Sequence, residues 1–131
     1  MTDVVLVYPP YTFDEKKQRF LAKFSSSPPL GLLYLASALE KAGITIKIID
    51  AMVAPKTVEQ IVKLVETEGV PIVGISATTP QIRGTVQLAM ELKQTLGKNI
   101  LIGLGAMVLP ILLSNLVYKF FFESYKVFVY D

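Results

Sequence analysis

The 131-residue sequence contains no histidine, cysteine or tryptophan. It therefore has no imidazole base, thiol nucleophile, zinc site or disulfide framework. Carboxylates, hydroxyls, lysines and backbone amides remain, and these hold a ligand better than they turn one over. Four small groups follow apolar, β-rich runs. Tyr8-Pro9-Pro10-Tyr11 is stiff and uncharged, which reads as a rigid turn or as a wall against a flat ligand. Ser76, Thr78 and Thr79 carry short hydroxyls that either cap the next helix or hydrogen-bond ligand amides or phosphate. Gly103 and Gly105 make a tight turn or let a ligand approach the backbone closely. Asp50 holds a ribose hydroxyl or caps a loop.

Several chemistries are excluded by position. A dinucleotide site needs its glycine fingerprint after the first strand, and this chain has Pro9-Pro10 there. Gly103-Leu104-Gly105 lacks the third glycine and comes after the fourth strand. No phosphate-binding loop ending in Gly-Lys-Ser/Thr occurs. The acidic residues of a phosphoacceptor domain are missing after the first and third strands. No two carboxylates converge at the strand ends, so paired acid–base catalysis has no candidates.

The elements that must position these groups alternate. Val4 to Tyr8 is an unbroken apolar run, the pattern of a strand buried on both faces. A long connection, including the charged piece Asp14 to Arg19, leads to a helix over Gly31–Ala42 ended by Gly43. Ile44–Ile49 alternates polar and apolar residues and reads as an edge strand. Thr57–Glu68 opens with capping-box spacing, Thr57 to Gln60, and carries a Val58, Ile61, Val62, Val65 stripe. Ile72–Ile75 is a central strand, followed by a helix over about Gln81–Leu96 with Ile82, Val86, Ala89, Lys93 and Leu96 on one side. Ile100–Ile102 is a fourth strand with a glycine turn after it. A short helix from Pro110 to about Val117 and a fifth strand over Val127–Tyr130 complete the reading. The order βαβα predicts one α/β domain over 1–131, a flavodoxin-like (Rossmann-like) doubly wound parallel sheet of strand order 2-1-3-4-5. Ligands of such sheets bind outside the carboxyl ends of the strands, where the four groups converge.

Composition narrows the partners. Hydrophobic residues make up 52% and charged residues 18%, which excludes a disordered chain. A formal charge of +2 is too weak to suggest nucleic acid. The N-terminus lacks a secretory pattern and the chain lacks cysteine, so a cytoplasmic location is expected. Residues 99–118 are uncharged over about the length of a membrane span, but Gly103, Gly105 and Pro110 break them, and the strand–turn–helix reading is preferred. No helix is available to cover the sheet face that the first crossover helix covers. The tail is apolar at Phe120-Phe121-Phe122 and Val127-Phe128-Val129-Tyr130. That combination predicts self-association through this face, or a fragment whose missing remainder covers it.

Taken together, the loops resemble a known family. Val4-Val5-Leu6-Val7-Tyr8-Pro9-Pro10 and Pro28-Pro29-Leu30-Gly31-Leu32-Leu33-Tyr34-Leu35-Ala36 resemble the start of the cobalamin-binding domain found in front of radical S-adenosylmethionine enzymes. Leu39-Glu40-Lys41-Ala42-Gly43, Ile48-Ile49-Asp50-Ala51 and Val73-Gly74-Ile75-Ser76-Ala77-Thr78-Thr79 continue the match in order. It covers about residues 3 to 110 and leaves 111–131 as an unmatched apolar tail. The resemblance implies cobalamin, with its corrin ring over the carboxyl ends of the strands. It places Pro9, Pro10, Ser76, Thr78, Thr79, Gly103 and Gly105 near that cofactor. It also implies a partner domain that holds the family's iron–sulfur cluster, since this chain has no cysteine triad for one. Without histidine, cobalt would carry water, its own base or nothing on the protein's side. The family's Gly-Gly-Pro-His-Ala-Thr segment reads Gly103-Leu104-Gly105-Ala106-Met107-Val108 here. That substitution motivates an alternative, a structural or interaction module that keeps the fold without the pocket. On either reading the chain alone performs no catalysis.

Overall fold

The computed structural model describes residues 1–25, 28–97 and 100–105. Four strands, β1 (Val4–Tyr8), β2 (Ile46–Asp50), β3 (Ile72–Ser76) and β4 (Leu101–Gly105), form one sheet. All pairs are parallel and the order is β2-β1-β3-β4, as the sequence pattern predicts for a flavodoxin-like sheet. The helices are α1 (Glu15–Ser25), α2 (Leu30–Lys41), α3 (Val58–Glu68) and α4 (Ile82–Leu96). The expected helix at Pro110–Val117, the strand at Val127–Tyr130 and the apolar tail lie outside the described residues.

Side chains alternate across a strand, so each face has its own core. Val5, Val7, Ile49, Val73, Ile75 and Ile102 pack under α3 and α4. Val4, Leu6, Tyr8, Ile46 and Ile48 pack under α2 on the other face. β1 is buried at all five positions because it is central and covered on both sides. The α3 capping box forms as its spacing predicts: Gln60 N donates to Thr57 Oγ1 at 3.2 Å, and Thr57 N donates to Gln60 Oε1 at 2.9 Å. Gly69 ends that helix at φ 62°, where glycine carries no Cβ penalty.

Three local expectations are corrected. First, the stretch after β1 is not wholly loop, since α1 occupies much of it. Asp14 Oδ1 accepts Lys17 N at 2.9 Å, starting a helix of good helix formers. Its apolar residues make no inward stripe, so periodicity does not reveal it. Second, the buried side of α4 is Gly84, Thr85, Leu88 and Leu92, while Ile82 and Val86 are exposed. Small residues at Gly84 and Thr85 let the β1 loop approach, and that rotates the expected face outward. Third, Gly103 and Gly105 do not form a turn; both lie within β4. Pairing with β3 supplies a ladder that local glycine signals do not reveal.

Candidate functional site

The parallel sheet brings the carboxyl ends of all four strands to one crest. Tyr8-Pro9-Pro10, Asp50-Ala51-Met52, Ser76-Ala77-Thr78-Thr79 and Gly105 meet there. Two buried glutamines, absent from the sequence-based candidates, tie these segments together. Gln81 Nε2 donates to the Pro9 carbonyl at 2.6 Å, and Gln81 Oε1 accepts from Thr78 N at 3.2 Å and Thr78 Oγ1 at 2.6 Å. It thereby locks the β1 loop to the β3 loop. Gln18 Oε1 accepts from Tyr11 N at 2.9 Å and Thr12 N at 3.3 Å, while Gln18 Nε2 donates to the Met52 carbonyl at 2.9 Å. That locks the β1 loop to the β2 loop. Thr78-x-x-Gln81 has capping-box spacing, a signal by which Gln81 is detectable. Gln18 lies in a charged run and carries no such signal.

Each predicted site residue has a definite place. Pro9 and Pro10 are buried beneath the crest, and Phe13 and the Pro10 carbonyl pack close to Gly84 of α4. Thr78 is partly buried and Thr79 exposed. Ser76 is 3% exposed, and its backbone carbonyl accepts from Thr85 Oγ1 at 3.3 Å. Its own hydroxyl is buried and has no hydrogen-bond partner among the described residues. Gly103 and Gly105 stand beside Gly74 and Ser76 in the β3–β4 register. Asp50 serves its loop: Oδ1 accepts Met52 N at 3.0 Å and Val53 N at 3.2 Å. Leu104 pairs with Ile75 in register. Ala106, Met107 and Val108 lie outside the described residues.

The two sides of the sheet are covered unequally. α2 packs on β1 and β2, and no described helix packs on the same side of β3 and β4. There Ile72 is 39% and Leu101 37% exposed, and the row between them is Gly74 and Gly103. A Cβ on Gly74 would stand 2.8 Å from Leu6 Cδ2, so the Leu6 side chain would have to shift to admit it. A Cβ on Gly103 would meet, among the described residues, only the Val73 carbonyl, at 4.0 Å.

The electrostatics suit a neutral ligand surface. Burial, and then the neighbouring Tyr11 and Asp50, push the Tyr8 phenol above its usual range, so it stays protonated. No group of three or more metal-ligating side chains occurs among the described residues. No described helix is long and apolar enough to cross a membrane. The arrangement offers hydroxyls, backbone and shape, but no acid–base pair.

A family model, the B12 binding domain, matches residues 24–110 of the 131, well over half of the chain. No curated protein matches the chain.

Proposed function

The chain belongs to the B12 binding domain family, and on that footing we propose that its crest holds cobalamin, with Ser76, Thr78, Thr79 and the glycines of β4 against the cofactor. The carrying observation is the family match over residues 24–110, together with the Ser76 hydroxyl, buried without a hydrogen-bond partner among the described residues at the end of β3. A buried hydroxyl without a hydrogen bond is unfavourable by about 1–3 kcal/mol, and an acceptor or donor on a ligand relieves it. The residues present therefore fit the group. Pro9 and Pro10 contribute from below, as the rigid support that Gln81 ties to the β3 loop. Gly103 and Gly105 would let the cofactor approach the β4 backbone closely.

When bound, cobalamin supplies organocobalt chemistry, and this chain's own residues bind and orient it. The chain holds no histidine, so it brings no imidazole to the cobalt. The resemblance of Val4–Pro10 and Pro28–Ala36 supports the finer reading, a module that works beside a radical S-adenosylmethionine domain. On that reading this chain presents the cofactor, the partner domain carries the iron–sulfur cluster and performs the reaction, and the site of action is the cytoplasm.

Titration with hydroxocobalamin followed by gel filtration tests the proposal. Corrin absorbance is expected to travel with the folded chain. Gly103→Val, whose side chain clashes with none of the described residues at its Cβ, should keep the circular-dichroism spectrum and abolish that co-migration. Absorbance that separates from folded protein at high micromolar concentration overturns the reading.

A further inference from the structure

Helix α1 is an addition to the βαβ crossover, because α2 alone joins β1 to β2 across the sheet. It also lies almost wholly ahead of the residues that the family model matches. One side chain anchors it: Gln18, fully buried and bonded to the β1 and β2 loops. Its two phenylalanines point the other way. Phe20 is 62%, Phe24 77% and Leu21 38% exposed. At about 3.6 residues per turn, both phenylalanines fall on the half of the helix away from Gln18. Their rings touch, with centroids 5.1 Å apart.

Charge is distributed with equal asymmetry. Asp14–Lys23 carries four basic and two acidic residues, and the rest of the chain carries nine of each, so this segment holds the whole net charge of +2. Arg19 pairs with Glu15 at 2.8 Å. Lys16, Lys17 and Lys23 are exposed, and on the helical wheel they flank the phenylalanines on both sides. Lys16 and Lys17 line an open groove with Phe20 and Leu21.

We infer that α1 is a docking element for an anionic lipid surface, with Phe20 and Phe24 entering the headgroup–acyl boundary and Lys16, Lys17 and Lys23 lying among anionic headgroups. An outward apolar ridge bordered by cations is the form of helices that lie in a bilayer interface. Flexible, strongly hydrated ammonium groups suit a diffuse negative surface better than a fixed carboxylate, which favours the forked guanidinium. Such a helix lies on the membrane and does not span it.

The test uses the full chain with vesicles of phosphatidylcholine alone or mixed with phosphatidylserine, read by flotation. Binding to the anionic vesicles only is expected, and it should weaken as salt rises. Lys16→Gln/Lys17→Gln/Lys23→Gln should weaken it by about a hundred-fold, from the per-charge attraction of an anionic leaflet. Phe20→Ser/Phe24→Ser should abolish it, with circular dichroism confirming the fold. The sequence has no tryptophan, so Phe24→Trp introduces a single indole whose emission should shift to the blue on the vesicles. Absence of flotation, equal binding to neutral vesicles, full binding by the serine variant or an unshifted indole overturns the inference. So does binding to soluble polyglutamate without binding to vesicles.

Discussion

Ser76→Ala removes one hydroxyl from a side chain that is 3% exposed at the end of β3. That hydroxyl has no partner among the described residues, so the fold loses no hydrogen bond when it goes. Its burial is unfavourable by about 1–3 kcal/mol, part of which alanine recovers. The backbone carbonyl keeps its bond from Thr85 Oγ1, so the strand end stays in place. The free energy of unfolding should therefore stay within about 0.5 kcal/mol or rise by about 1 kcal/mol. A hydroxyl that bonds cobalamin contributes about 0.5–1.5 kcal/mol to binding, so the variant should bind about 2- to 12-fold more weakly. Urea unfolding gives the first number, and absorbance titration with hydroxocobalamin the second. Stability that falls by more than about 1 kcal/mol would show that the hydroxyl serves the fold. Unchanged affinity would show that it does not touch the ligand.

Gln81→Leu keeps side-chain volume but deprives the Pro9 carbonyl and Thr78 of their partner, so stability should drop by about 2 kcal/mol in urea unfolding and cobalamin affinity should drop with it. Thr57→Ala removes the cap of α3 and should reduce stability by about 1 kcal/mol with no change in cofactor affinity. Hydrogen bonds from Lys47 and Thr2 hold the Glu68 carboxyl below its usual range. A depressed pKa in the folded chain stabilises it above the unfolded value and is lost as pH falls. Glu68→Gln should therefore flatten the part of the stability–pH curve that lies below about pH 4.5, read by unfolding midpoints.

What the sequence revealed followed the range of the interactions concerned. Strand order was legible because burial writes itself into composition: Val4–Tyr8 is apolar at every position, whereas Thr45 and Lys47 alternate with isoleucines at the edge. The Thr57–Gln60 box was legible because its partners are three residues apart. Contacts between distant loops were not. Gln18 reads as one polar residue in a charged run, and only the folded chain brings the Met52 carbonyl to it. The α4 face was misread because Val86 and Ile82 are apolar without being buried, while Gly84 and Thr85 are buried to admit Phe13 and Pro10. Gly103 looked like a turn because glycine is a local signal and strand pairing is not.

The two glycines side by side in β3 and β4 are there for different reasons. Glycine within a strand is less favourable than alanine by about 0.5–1 kcal/mol, so each needs a cause. At Gly74 the cause is internal, since Leu6 Cδ2 would lie 2.8 Å from a Cβ and the buried Leu6 side chain would have to shift. At Gly103 the described residues supply none. A Cβ there meets one carbonyl oxygen at 4.0 Å, and no described helix packs against that side. Packing would accept valine at this position, and strand propensity would favour it. The proposed cobalamin site supplies a cause, a ligand that lies close to the bare backbone at Gly103. Gly103→Val separates the two causes: a fold that tolerates the side chain and a cofactor that does not together assign Gly103 to the site.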